Sequence, residues 1–242
     1  MTSFFGFAKR QNKLHSLEIC GLNLFPCFLA ALGLGHFCQL KELILPGKNI
    51  FLNCLSTLAG LIAEGALPML AEFKMLKSQK KGAVATIMRG FQAGGCPLLT
   101  TLQLPICFCR PAPTLNAHGM EARVLDIDQT EQNMEALANA LEVRAAAGTC
   151  QGLQKLYGDL LSFGRSELRT RLLWVLLPSI KVLPRFSPVG EYVDTMIVRD
   201  TGAPCLESLY LSQDLSPLIE ALGSMARLRT LNIHRGFQHY YR

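Results

Sequence analysis

The stretch CPLLTTLQL, Cys96–Leu104, decides how the rest of the chain reads. Leu99, Leu102 and Leu104 are apolar, and Thr100, Thr101 and Gln103 between them are polar. The apolar spacing is three and then two. A helix face repeats at three and four, and a strand with one buried side alternates at two. Neither period alone accounts for L-x-x-L-x-L, so the first question is whether the pattern returns.

It returns five times in clear form: Leu14, Leu17 and Ile19; Leu40, Leu43 and Leu45; Leu70, Phe73 and Met75; Leu206, Leu209 and Leu211; Leu228, Leu231 and Ile233. Three weaker copies fill the gaps: Ala122, Leu125 and Ile127; Leu153 and Leu156, with Gly158 in the last slot; and Leu177, Ile180 and Val182. Nine starts between residues 14 and 228 give a mean period of about 27 residues, within the range of repeat architectures.

A second signal keeps phase with the first. Apolar residues at i, i+3, i+4 and i+7 mark a helix face. They occur at Phe25, Phe28, Leu29 and Leu32; at Leu55, Leu58, Ala59 and Ile62; and at Val84, Ile87, Met88 and Phe91. Each set begins 15 residues before the next L-x-x-L-x-L start. Met134, Leu137, Ala138 and Leu141 precede residue 153 by 19, one helical turn more, and Leu215, Leu218, Ile219 and Leu222 precede 228 by 13. The pattern predicts a short strand followed by a helix, repeated.

This pattern resembles the leucine-rich repeat family, in particular its ribonuclease-inhibitor-like class. The resemblance covers about residues 14–235 and implies an α/β solenoid: a curved parallel sheet inside, helices outside, about nine degenerate repeats in one domain over 1–242. One feature departs from the family. The ninth motif position, where the family places Asn or Cys, holds Leu22, Lys48, Ser78, Cys107, Thr130, Leu161, Arg185, Asp214 and Gly236, and only Cys107 matches. The repeat also breaks. Pro105, Pro111 and Pro113 forbid a helix across 105–118, where a loop is expected in place of the outer helix. Residues 183–204 carry only a weak helical face and are expected to be the least regular part.

Composition narrows the function classes. Half of the 242 residues are apolar and 17% are charged, so a large core is expected and disorder is not. A net charge of +6 is too small to imply nucleic acid without a clustered patch. The densest basic run, Lys74–Lys81, reads as a solvated loop in preference to a nuclear signal. The apolar run Ile19–Phe37 follows Lys9, Arg10 and Lys13, which raises a membrane anchor; Asn23, Pro26, His36 and three glycines favour a strand end, a turn and a packed helix instead.

Little points to catalysis. Walker, G-x-S-x-G and H-E-x-x-H motifs are missing from the sequence. Cys107, Cys109 and His118 lack the second ligand pair that a structural zinc site uses. Asp200-Thr201-Gly202 resembles an aspartic peptidase signature, but Arg199 stands where that family has an apolar residue, and a turn before the strand at 206 is the plainer reading. No metal, cofactor or enzyme activity is expected.

In L-x-x-L-x-L strands the residues between the leucines face away from the helices. That reading puts Glu72, Lys74, Asp126, Asp128, Lys155, Tyr157, Asp159, Tyr210 and Asn232 on the concave face as partner-binding residues. Their acids suggest a protein partner with a basic surface, neither nucleic acid nor membrane, with Tyr157 and Tyr210 as anchors. The resemblance implies an adaptor, scaffold or inhibitor module. The alternatives are a peptidase-like dimer built on Asp200 and a degenerate piece of a longer array; end-to-end association is a further option, since no capping motif is evident. Nine cysteines without a convincing signal peptide at Met1–Lys13 suggest a reducing compartment, the cytoplasm. Thiol titration of the denatured, unreduced protein should find close to nine; one or fewer would reveal a disulfide framework.

Overall fold

The structure is a computed structural model. It describes residues 13–19, 24–45, 50–76, 81–105, 109–115, 121–125, 127–148, 153–157, 166–186, 203–211, 222 and 225–233. Helices α1 Phe25–Gly33, α2 Leu52–Ala63, α3 Ala83–Gln92, α4 Ile127–Ala146 and α5 Ser166–Leu176 alternate with short strands. Strands β1 Ser16–Glu18, β2 Glu42–Leu45, β3 Glu72–Met75, β4 Thr101–Gln103, β7 Lys155–Tyr157, β8 Val182–Phe186, β9 Ser208–Leu211 and β10 Thr230–Ile233 form one parallel sheet in that order. The protein is therefore α/β, with a parallel sheet alternating with helices.

Each strand is fixed to its neighbour by the same interaction. The carbonyl of His15 accepts the N–H groups of both Lys41 and Glu42. The carbonyls of Lys41, Ala71, Thr100, Gln154, Lys181 and Glu207 do likewise for the two consecutive N–H groups of the next strand, all at 2.7–3.1 Å. Before the strands, a turn closes by a bond from Leu40, Leu70, Leu99, Leu206 or Leu228 to the carbonyl three residues back. The residue at that earlier place is buried: Phe37, Leu67, Cys96, Ala203 or Met225.

Alternation then decides the core. Leu43, Leu45, Phe73, Met75, Leu102 and Leu156 point into one apolar cluster with the buried faces of the helices. The four anticipated residues of α1, α2, α3 and α4 are all buried there. Phe73 meets Phe91 edge-on at 5.3 Å, and Phe28 lies 5.3 Å from Phe37. Pro26 starts α1, where a missing N–H costs no bond. The stretch Ile19–Phe37 holds the residue after β1 and this nine-residue helix. No helix among the described residues is long and apolar enough to cross a membrane.

Three sequence expectations are corrected. The copy at Ala122–Ile127 adds no strand to the parallel sheet. Ala122 and Leu125 lie in β6 Glu121–Leu125, which pairs antiparallel with β5 Cys109–Leu115, Ile127 begins α4, and β4 pairs directly with β7. The Pro-rich segment is thus part hairpin instead of loop, and the outer helix is not lost: it follows as α4. Prolines exclude helix but tolerate a two-stranded edge. The copy assigned to Leu177 is displaced by three residues. Val182 sits opposite Ser208, and the shared carbonyl is Lys181, so Ile180 holds the first apolar place and Leu177 the buried turn position. The proposed irregularity at 183–204 lies mostly outside the described residues, as does the helical face at residues 215–219.

The hairpin makes no substantial contact with another described element, so α4 must be anchored independently of it. Arg144, buried near the end of α4, donates to the Gly95 carbonyl at 2.8 Å and the Cys96 carbonyl at 3.1 Å, in the turn between α3 and β4. Burial pushes the neighbouring Cys96 thiol up to about 12, against the pull of the Arg144 charge. Arg171 of α5 grips Glu142 of α4 through two nitrogens, at 2.7 and 2.8 Å, and also reaches Asn139.

Helices α2 and α3 approach so closely that Gly90 faces the Ala59 backbone. A Cβ built at Gly90 would stand 2.6 Å from the Ala59 carbonyl oxygen. Gly90→Ala should therefore destabilise the protein by about 1–3 kcal/mol from overpacking, although alanine gains up to about 1 kcal/mol of helix propensity. Urea unfolding of the variant checks this; a stabilised variant would show that the helices separate readily.

Candidate functional site

The face of the sheet opposite the helices is where side chains accumulate without a covering layer among the described residues. Register lays them out in rows. Ser16, Glu42, Glu72, Thr101, Lys155, Val182, Ser208 and Thr230 stand side by side, one per strand. The next row runs Glu18, Ile44, Lys74, Gln103 and Tyr157, and Tyr210 sits opposite Asn232 farther along. Neighbouring strands lie about 4.8 Å apart, so adjacent residues of a row are within side-chain reach.

On β1–β3 this places Glu42 directly beside Glu72. Two carboxylates at that separation repel, and Lys74 relieves them. Its Nζ lies 2.6 Å from Glu42 Oε1 and 2.8 Å from Glu72 Oε2, while the Ser16 hydroxyl donates to Glu42 Oε2 at 2.6 Å. One ammonium thus ties two strands together and a hydroxyl adds a third. The Lys74 hydrogen bond, with the Ser16 bond second, holds the Glu42 carboxyl below its usual range. The bonds to Glu42 and then Glu72 hold Lys74 above its own.

Beyond β3 the character changes. Thr101 is buried, Gln103 and Tyr157 are half-buried, and Lys155 is exposed. The described charges on the face are therefore segregated: Glu18, Glu42 and Glu72 with Lys74 on the first three strands, then Lys155 on β7.

The residues anticipated from sequence divide accordingly. Glu72, Lys74, Lys155 and Tyr157 lie on this one face. Tyr210 and Asn232 occupy facing positions of β9 and β10. Asp126 and Asp159 lie outside the described residues. Asp128 is corrected: it belongs to the first turn of α4, not to a strand. The apolar spacing of Ala122, Leu125 and Ile127 imitates a strand, but a long helical pattern begins at the last of them, and an acid suits a helix start. Among the described residues, the acids in the two rows of the open face are Glu18, Glu42 and Glu72, all on β1–β3. Glu42 and Ser16 join these residues on the face, at the same motif position as Glu72.

Among the described residues no group of three His, Cys, Asp or Glu side chains is placed to hold a metal. Cys27, Cys38, Cys54, Cys96 and Cys205 carry free thiols. Asp200, Thr201 and Gly202 lie outside the described residues. No family model matches the sequence, and no curated protein matches it.

The Lys74 network makes a signed prediction. Glu42 titrates lower when folded, so its stabilisation is complete above the ordinary carboxyl range and fades as pH falls through the folded value. Lys74 titrates higher when folded, so its share is complete below the ordinary lysine range and fades as pH rises through the folded value. Lys74→Met should cost about 1 kcal/mol or less at neutral pH, because the site is partly solvated. The gap to the unaltered protein should close on acidification. Denaturant unfolding across the acid range checks this; a gap independent of pH would show that Lys74 acts by packing alone.

Proposed function

We propose that this protein is a non-catalytic interaction module of the leucine-rich-repeat, ribonuclease-inhibitor-like kind, and that it docks a protein partner on the open face of its sheet. The observation that supports the reading is the one-sided layering. Helices and apolar side chains fill one side of the sheet, and the other presents polar rows held at fixed spacing by the backbone. The single turn-strand-helix unit, stacked repeatedly, supports the solenoid reading. Stacked strands give a broad, preorganised surface, which lowers the ordering cost of binding.

The segregated charge shapes the partner. Basic groups suit the β1–β3 end, where Glu18 is exposed and, among the described residues, Glu42 and Glu72 share the one cation Lys74. An acidic or hydroxylated group suits the Lys155 and Tyr157 end. Such complementarity steers association and weakens with salt. Stacking of copies end to end is the weaker option. Continuing the sheet register from β10 to a second β1 would set Arg227 against Lys13, both of them exposed. Like charges directly opposed disfavour strand pairing.

The test is affinity capture followed by a binding assay with the captured protein. Lys155→Glu combined with Tyr157→Ala should weaken binding at least tenfold, and Glu135→Lys on the helix layer should leave it unchanged. Equal binding by all three proteins, with the fold intact, would overturn the open-face reading.

A further inference from the structure

The chain has a single tryptophan, and it is half-exposed. Trp174 lies near the end of α5, and Ala145 at the end of α4 lines the same space. Helix α4 ends in Ala145 and Ala146, and Ala147 and Gly148 follow, all exposed. A large ring beside a run of small residues leaves a gap. The gap is an open groove of about 600 Å³ between the ends of α4 and α5 and the turns leading into β7 and β8.

Its walls are of two kinds. Ala145, Trp174, Val175 and Pro178 make the apolar side, and Gln154 and Lys181 bring polar groups. Both polar residues are pinned by backbone bonding. The Gln154 carbonyl accepts the N–H of Lys181 at 2.7 Å, and the Lys181 carbonyl in turn holds β9. Lys181 Nζ lies 4.0 Å from Glu207 Oε1, too far for a hydrogen bond, so its donors are not consumed there. A volume of this size, mostly apolar with a few convergent polar groups, is typical of small-molecule sites.

We propose that this groove binds a small aromatic carboxylate, with its ring against the Trp174 indole and its carboxylate on the Lys181 ammonium. A flat apolar ring fits the space that the alanines leave beside the indole. One negative charge fits better than two. Lys181 is the only cation lining the groove among the described residues, and Glu207 nearby would oppose a dianion. The Gln154 amide supplies a second donor to the same carboxylate. The site lies at the start of β7 and β8 beside the ends of α4 and α5, and it does not depend on the docking function proposed above.

The experiment uses the full chain with 3-phenylpropionate and its neutral analogue 3-phenylpropan-1-ol as probes. Neither absorbs where tryptophan is selectively excited, so Trp174 emission reports the groove directly, and calorimetry gives the affinity. The acid should bind one per chain and shift the emission, and the alcohol should bind at least fivefold more weakly. Lys181→Gln should weaken the acid about tenfold and leave the alcohol unchanged; Lys181→Arg should retain most of the affinity. Trp174→Ala should abolish binding of both by calorimetry, with circular dichroism confirming the fold. No binding to the unaltered protein, equal affinity for acid and alcohol, or acid binding indifferent to Lys181→Gln would each overturn the proposal.

Discussion

A backbone carbonyl that accepts two N–H groups from the following strand is the constraint on which the remaining structure depends. It recurs from His15 to Glu207 and sets the register of each parallel pair at the point where the strand begins. Once register is set, alternation leaves no choice about which residues enter the core, because a slip of one residue would exchange the two faces. Leu43 and Leu45 go in, and Glu42 goes out. A parallel neighbour also needs a crossover on one side of the sheet. The helices therefore gather on the leucine side, and the other face is left to polar residues.

The helix layer has its own demands. Gly90 allows α2 and α3 to approach to backbone contact, which a side chain at that position would prevent. Arg144 solves the opposite problem. It carries a charge into a buried place, where a cation is tolerated only if its donors are met. The carbonyls of Gly95 and Cys96 meet two of them, and in doing so fasten α4 to a turn more than forty residues earlier in the chain.

The parallel strands were legible in the sequence wherever leucine spacing and helix periodicity agreed, as at Leu40, Leu70 and Leu99. The misreadings have physical causes. Leu177 was mistaken for a strand residue because a buried turn position three residues ahead of Ile180 prefers the same apolar side chains as the strand. Ala122, Leu125 and Ile127 have the right spacing but stand where the chain has left the sheet, and no local periodicity reveals that. Asn or Cys stands at the ninth position in only one copy, at Cys107, yet the strands are regularly tied. The ladder at the strand starts is built from main-chain carbonyls, which sequence does not display. The partnership of Lys74 with both Glu42 and Glu72 was only half visible: their shared face could be read, but which ammonium serves which carboxylate depends on register between strands. Trp174 gave no periodic signal, and its exposure follows from the alanines on a neighbouring helix.

The β5–β6 hairpin leaves the chain between β4 and α4, yet β4 still pairs with β7 as though nothing intervened. The sheet is thus indifferent to what happens in that excursion. The entropy of closing a flexible loop rises slowly, by about 0.6 kcal/mol for each doubling of its length. A segment inserted into the sequence between β5 and β6 would add little to that and would disturb neither the strand register nor the helix layer. The hairpin marks a natural graft point, where a new sequence, even a small folded domain, could be displayed from the scaffold while the scaffold keeps its shape.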